Sequence, residues 1–154
     1  MSRFMMMVIS TALFLTAGCQ APADEGPDIE FLHMPGTENL GLPFSSAVRV
    51  ENMIYLSGVI GTDPGGALRP IEGGIQAETR RAMEIISEEL KTFGSSMDRI
   101  VKCTIFLADI AEWAAMNDIY VTFFDTPPAR SALGANGLAL NARIEIECIA
   151  VANS

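Results

Sequence analysis

Near its carboxyl end the chain reads Ala142-Arg143-Ile144-Glu145-Ile146-Glu147-Cys148-Ile149-Ala150, the clearest strand signal in the sequence. Because side chains on a strand alternate between two faces, the isoleucines and Cys148 share one face, whereas Arg143 and the glutamates share the other. Glu145 and Glu147 would stand about 7 Å apart on that polar face, which suits an acid/base pair. A solvent-exposed polar face, or an ion pair with Arg143, explains the same spacing.

The segments before this strand show strand and helix character in turn. Residues 46–50 and 53–57 are predicted strands joined by a tight turn at Glu51-Asn52, and a glycine-rich loop follows them. An apolar stripe with helical spacing predicts a helix over 75–93. A strand at 100–107, a second helix at 110–124 and a short strand at 130–133 complete the pattern, and Pro127-Pro128 prevents the second helix from continuing.

The resulting order, β-β-α-β-α-β-β, predicts an α/β (α+β) domain with a mixed sheet and both helices packed on one face. The opposite face of such a sheet also needs cover. A domain of this size can obtain that cover by oligomerising or by closing the sheet into a barrel.

Composition restricts the possible partners. The 154-residue chain has a formal net charge of −9, and nucleic-acid binding requires clustered Lys and Arg that release counterions. Its longest basic run is Arg80-Arg81, which we interpret as the solvated face of a helix. Nucleic acid is therefore excluded as a predicted partner.

The sequence offers few residues for metal or nucleophilic catalysis. Its one histidine, His33, lies in a polar lead-in rich in Pro and Gly, and its three cysteines lack metal-ligand spacing. A Ser-His-Asp triad needs a histidine that the fold positions, and a catalytic zinc usually needs several His or Cys ligands close together. We predict no metal site and no cofactor.

The first residues have the pattern of an export signal. Arg3 precedes an apolar run at 4–15 that is too short to span a bilayer, and Leu15-Thr16-Ala17-Gly18-Cys19 resembles a bacterial lipobox. This predicts a signal peptide over 1–18, a lipid anchor on Cys19, a flexible tether over 19–39 and a domain over 40–154. A buried amino-terminal element or a misplaced start codon would be the alternatives.

The same pattern predicts where the protein resides. An exported, lipid-anchored protein would touch the membrane only through Cys19. In a Gram-negative source it would lie in the periplasm, with Gln20 favouring the outer membrane; in other sources it would lie on the cell surface.

Several single residues stand out. Arg130 follows the stiff lead-in Pro127-Pro128-Ala129, and an arginine fork matches a carboxylate with two parallel hydrogen bonds; a surface arginine at a strand start is the alternative. Phe44 and Ser57-Gly58, considered alone, are explained equally well as turn residues or as packing residues. Cys103 is either a small buried hydrophobe or, in an oxidising compartment, a partner for Cys148.

Six segments resemble, in order and with the same spacing, the motifs of the Rid/YjgF family. The family forms are GPYSQAV, SGQI, VKTTVFLxD, VNxxY, PARS and VEIEAIA. The corresponding segments here are Leu42–Val48, Leu56–Gly61, Val101–Asp109, Met116–Tyr120, Pro128–Ser131 and Ile144–Ala150. The resemblance covers about residues 40–152.

This resemblance implies a chorismate-mutase-like fold, a homotrimer with clefts between subunits, and cofactor-free hydrolysis of 2-imino or enamine acids to 2-keto acids and ammonia. It implies that Arg130 holds the substrate carboxylate and that Glu145 positions or activates the attacking water. It also implies a pocket close to Phe44, Ser57, Gly58 and Asn117. An imine is already electrophilic, so orientation and one carboxylate can suffice.

The sequence also departs from the family pattern. Phe44 replaces a common tyrosine, Val59 a common glutamine, and Ala132 a cysteine found in some members. Export would also separate the protein from the cytoplasmic enzymes that make such imines. A non-catalytic trimeric binding protein for 2-keto acids at the cell envelope is therefore the alternative function. The ribonuclease activity ascribed to some relatives is the weakest hypothesis here, because the chain has a net negative charge and no histidine that the fold is predicted to position.

Overall fold

A computed structural model of the chain describes residues 26–37, 41–65 and 68–153. The predicted signal peptide and Cys19 lie outside these residues, so the predicted anchor stays a prediction. Within the described ranges, no helix is both long enough and apolar enough to cross a membrane.

The structure contains six strands and two α-helices. They are β1 (Ile29–Leu32), β2 (Ala47–Val50), β3 (Met53–Leu56), α1 (Gly74–Thr92), β4 (Ile100–Leu107), α2 (Trp113–Tyr120), β5 (Ala129–Gly134) and β6 (Ile144–Val151). Short 3-10 turns, Ile110–Glu112 and Val121–Phe123, extend α2 at both ends. Together they span 110–123, one residue less than the helix over 110–124 that the sequence predicts.

The strands form one sheet in the order β1-β2-β3-β6-β4-β5. Strands β4 and β5 are parallel, whereas the other neighbours are antiparallel. The parallel pair follows from the connection between these strands, because parallel neighbours need a crossover and α2 supplies it. The predicted mixed sheet with two helices is confirmed.

One strand was not predicted. Strand β1 lies inside residues 19–39, which the sequence analysis assigned to a tether, and it pairs antiparallel with β2 from Ile29 opposite Val50 to Leu32 opposite Ala47. The strand has only four residues, Ile29–Leu32, within a Pro- and Gly-rich segment, so its sequence signal is weak, and Ile29 and Phe31 are exposed. The strand is specified mainly by backbone pairing at the edge of the sheet.

The core lies between one face of the sheet and the helices. In β6 the alternation is as predicted, since Ile144, Ile146 and Cys148 are buried while Glu147 is exposed. The apolar stripe of α1 supplies the facing layer with buried Ala82, Met83, Ile86 and Leu90, and Phe93 directly after the helix is buried as well. The opposite sheet face, here called the open face, carries Phe31, Tyr55 and Leu133, each more than 40% exposed.

A disulfide joins Cys103 and Cys148 across β4 and β6. The two residues stand directly opposite each other in these strands, and both are buried. This pairing decides between the two interpretations of Cys103 that the sequence left open. It also links the interior strands β4 and β6 covalently.

Charged side chains fix α1 against the start of β6. Buried Glu78 accepts a hydrogen bond from the backbone N–H of Arg143 at 2.8 Å, and burial raises the pKa of its carboxyl group. The guanidinium of Arg143 pairs with Glu112, with N–O distances of 2.7 to 3.1 Å. The ion pair of Arg143 is therefore with a helix residue rather than with Glu145 or Glu147.

Candidate active site

Arg130 is held between β5 and α2. Its Nη1 donates a hydrogen bond to Oδ1 of Asn117 at 2.8 Å, which links the second residue of β5 to the middle of the helix. The guanidinium carbon lies 4.8 Å from the ring centroid of Tyr120 and 5.4 Å from that of Trp113. Both distances fall within the range of cation–π attraction.

Arg130, like Arg80 and Arg99, forms no ion pair among the residues that the structure describes, whereas Arg49, Arg69, Arg81 and Arg143 each pair with a carboxylate. Arg130 is only partly exposed, and a guanidinium carries five N–H donors. Its remaining donors are consequently available to an anion, which supports the predicted role in holding a carboxylate.

Trp113 and Tyr120 were not predicted as site residues. The signal was present in their spacing, because positions 113, 117 and 120 differ by four and three and therefore share one face of a helix. Tyr120 is buried, and burial raises its pKa to about 12, although the charge of Arg130 acts in the opposite direction. The phenol is therefore neutral at physiological pH.

Glu145 and Gly58 lie against each other. A Cβ placed on Gly58 would overlap the carboxylate of Glu145, so only glycine leaves the carboxylate in its observed position. The neighbouring residues Val59 and Ile146 exchange two backbone hydrogen bonds, at 2.8 and 3.0 Å. These bonds fix the end of the β3 segment to the start of β6 and hold Gly58 beside Glu145.

Ser57 precedes this glycine and is hydrogen-bonded to the segment that follows Phe44. The Ser57 hydroxyl donates to the carbonyl oxygen of Ser45 at 2.7 Å, and the Ser57 N–H donates to Ser46 at 2.9 Å. Since its only hydroxyl proton is used, Ser57 can offer a ligand only its lone pairs. Phe44 is 55% exposed and precedes Ser45, so it lies at the edge of this group.

The structure therefore brings predicted residues together in two groups, which we call the arginine group (Asn117 and Arg130, with Trp113 and Tyr120) and the glutamate group (Glu145, Gly58 and Ser57); Phe44 is linked to the second only through its neighbour Ser45. The groups lie on different faces of the sheet. Arg130 stands beside Cys103 in the β4–β5 pair, on the face that the helices cover. Glu145 follows buried Ile144 and therefore points to the open face.

Other features of the described residues do not extend either group. Within the described ranges, no cluster of three His, Cys, Asp or Glu side chains could hold a metal ion. A cavity of about 520 Å³ lies between α1 and the segment after α2, with Lys91, Asp98 and Phe124 in its wall. It includes neither Arg130 nor Glu145.

Comparison with known proteins identifies the family. A family model described as Endoribonuclease L-PSP matches residues 38–152. The chain belongs to this family, the Rid/YjgF family. The resemblance that the six motifs indicated is thereby confirmed, and the matched range agrees with the extent predicted from them.

Rid/YjgF proteins with deaminase names are among the similar sequences. The 2-iminobutanoate/2-iminopropanoate deaminase of Capra hircus is 43% identical over 111 residues, which are 71% of this chain and 80% of that protein. The chloroplastic Reactive Intermediate Deaminase A of Arabidopsis thaliana is 39% identical over 109 residues, 70% of this chain. The aligned region spans only 58% of the length of the Arabidopsis protein.

Solved Rid/YjgF structures have the same fold. The crystal structure of YEO7 from yeast superposes with a TM-score of 0.75 at 33% identity and covers 82% of this chain and all of that one. TdcF of E. coli, solved with bound serine, gives a TM-score of 0.67 at 30% identity over 73% of this chain and 90% of that one. The predicted Rid fold is confirmed.

Proposed function

We propose that this protein is a cofactor-free deaminase that hydrolyses 2-imino and enamine acids to 2-keto acids and ammonia. The observation that carries the proposal is Arg130, a partly buried arginine without an acidic partner in the described part of the chain, held by Asn117 at 2.8 Å. The deaminase names of relatives about 40% identical support it, and bound serine in TdcF supports a small carboxylate as ligand.

Arg130 would bind the substrate carboxylate through its free N–H donors. An Arg–carboxylate pair with two parallel hydrogen bonds fixes both the distance and the plane of the bound group. The reacting C2 atom is attached directly to that carboxylate, so holding one end of the molecule orients the imine carbon. Asn117 would keep the guanidinium in place during this binding.

Glu145 would act on water. Its carboxylate accepts a proton as the water oxygen bonds to C2 of the protonated imine and the C2=N π electrons move to nitrogen, which gives a carbinolamine. The proton then passes to the nitrogen, the C2–N bond breaks, and ammonia leaves as the hydroxyl proton is released and the C2 carbonyl forms. Because the overall reaction consumes one water and releases one ammonia, it needs no redox partner.

A second copy of the chain would complete the site. The arginine group and the glutamate group lie on different faces of one sheet, so we propose that each cleft combines the arginine group of one subunit with the glutamate group of its neighbour in a homotrimer. Exposed Phe31, Tyr55 and Leu133 on the open face support association, because a second subunit would remove their apolar surface from water.

We also propose that the protein is exported and anchored through Cys19. The disulfide between Cys103 and Cys148 supports this location, because structural disulfides persist mainly in oxidising compartments. Cells grown with an alkyne-tagged fatty acid should label the wild-type protein but not Cys19→Ser. Equal labelling of both would refute the anchor.

The deaminase proposal is tested with 2-iminobutanoate generated in solution, by following 2-oxobutanoate formation above the spontaneous rate. Arg130→Ala should lower kcat/KM about 100-fold or more, since hydrogen bonds to a charged group contribute about 1.5–3 kcal/mol each. Arg80→Ala, which removes an exposed arginine of α1, is the matched control and should have no effect.

The same assay separates the catalytic from the binding hypothesis. Glu145→Gln should lower kcat by at least about 100-fold, as expected for loss of a general base, while 2-oxobutanoate still binds. Wild-type protein that binds 2-oxobutanoate through Arg130 but does not accelerate imine hydrolysis would show instead a non-catalytic binding protein.

A further inference from the structure

We infer that Trp113 and Tyr120 are positioning residues that clamp the Arg130 guanidinium, so that its free donors meet the carboxylate in one orientation. This inference rests on the proposed function, because it assigns a task within the same site. It adds two residues that were not predicted to line the pocket, Trp113 and Tyr120, the second of which ends the Met116–Tyr120 motif.

The geometry supplies three restraints on one guanidinium. The two aromatic rings lie 4.8 and 5.4 Å from its carbon, and Asn117 accepts a hydrogen bond from Nη1. The rings restrict movement of the plane, while the hydrogen bond restricts rotation within it. Immobilising a long, mobile arginine side chain on ligand binding costs conformational entropy. A side chain that is already ordered before the ligand binds does not add this cost.

Packing alone does not explain the choice of these residues. Tyr120 is 2% exposed, and its hydroxyl has no hydrogen-bond partner among the described residues. The hydroxyl therefore does not stabilise the packing, and the part of Tyr120 that faces Arg130 is its ring. Trp113 is 41% exposed, although a large exposed ring contributes little to a core. What the two side chains share is an aromatic face beside Arg130.

The clamp has a distinct kinetic signature. An interaction that orients the carboxylate-binding group acts equally on bound substrate and transition state, so its loss raises KM and leaves kcat nearly unchanged. Trp113→Ala should therefore raise KM about two- to fivefold, the range expected for one partly exposed cation–π contact. Trp113→Phe should restore KM, because phenylalanine also presents an aromatic face.

Tyr120→Phe separates the ring from the hydroxyl. It keeps the aromatic face and removes the unpaired group, so KM should be unchanged and thermal stability should rise or stay equal. Val121→Ala trims an exposed aliphatic side chain of the same helical segment and is the matched control, with wild-type kinetics expected.

The clamp can also be measured without substrate, which distinguishes its failure from failure of the deaminase proposal. Trp113 is the only tryptophan of the sequence, so Arg130→Met in the full-length protein should shift its fluorescence emission. The side-chain NMR signals of Arg130 should show ring-current shifts that diminish in Trp113→Ala. If wild type hydrolyses no imine, the proposed function fails, but these two measurements still test the clamp.

Three results would overturn the inference. One is a Trp113→Ala variant with unchanged KM and unchanged Arg130 resonances. The second is a Trp113→Phe variant that is as impaired as Trp113→Ala. A loss confined to kcat, in proportion to lost folded protein, would be the third. A KM increase rescued by phenylalanine, together with the resonance shift, supports the clamp.

Discussion

The buried carboxyl group of Glu89 in α1 allows the effect of one buried charge on protein stability to be measured. The residue is 9% exposed, and its Oε2 has no hydrogen-bond partner in the described structure. Burial raises the pKa of its carboxyl from 4.5 to about 7, with a smaller contribution from the charge of Glu88. A carboxyl with a raised pKa in the folded state favours folding while it is protonated.

The sign and size of the pH effect follow from this difference. The favourable contribution of Glu89 is fully present below the pKa of 4.5 that the unfolded chain has, and it is lost as the pH rises to about 7. One pKa unit corresponds to about 1.4 kcal/mol, so the loss is about 3 kcal/mol. The Glu89→Gln side chain cannot ionise, so the variant should not lose this stability as the pH rises.

The assay is denaturant unfolding of wild type and Glu89→Gln at about pH 4 and about pH 8, at one fixed protein concentration because association changes apparent stability. The stability of the variant relative to wild type should increase by about 3 kcal/mol between the two pH values. Comparing two pH values cancels any constant cost of burying the amide.

Glu84→Gln on the same helix is the control. Glu84 is exposed and paired with Arg81, so the substitution should change stability by less than about 1 kcal/mol at either pH. If Glu89→Gln shows no more pH dependence than this control, the burial of a titrating charge at position 89 is refuted.

Two further predictions concern the disulfide between β4 and β6 and the glutamate group. The disulfide closes a loop whose ends are 45 residues apart. Replacing both Cys103 and Cys148 by alanine should therefore lower the free energy of unfolding by about 4 kcal/mol, the chain-entropy value for a loop of this length. An unchanged urea midpoint would contradict the disulfide. Gly58→Ala should displace the carboxylate of Glu145 and lower kcat up to about 100-fold with little change in KM. Gly26→Ala, where the added carbon meets nothing within 4 Å, should have wild-type kinetics, and a Gly58→Ala enzyme with normal kcat would exclude the close contact as a requirement.

Much of the fold could be predicted because its elements have strong local signals. The alternation in β6 and the apolar stripe of α1 report directly which faces are buried. Strand β1 carries no such signal, since Ile29 and Phe31 are exposed and the strand depends on pairing with β2. A four-residue edge strand in a Pro- and Gly-rich segment looks the same as a tether in the sequence.

The sequence nominated most residues of the proposed site, but not Trp113 and Tyr120, and not how any of these residues are arranged. Motif resemblance pointed to Arg130 and Glu145, but only the pairing of the strands shows that they lie on different faces of the sheet. The pairing of Cys103 with Cys148 likewise depends on which residues of β4 and β6 stand opposite each other. Those facts are set by the tertiary structure.

The central claim is that Arg130 of one subunit and Glu145 of its neighbour form one deaminase site. The most direct test is to co-express Arg130→Ala and Glu145→Gln in equal amounts, with different tags, and to assay the purified mixed oligomer for 2-iminobutanoate hydrolysis. If the two variants assemble at random in a closed ring, about a quarter of the sites contain both an intact Arg130 and an intact Glu145. We predict that about a quarter of wild-type activity returns although each variant alone is inactive. Mixed oligomers that form but remain inactive would contradict the shared site.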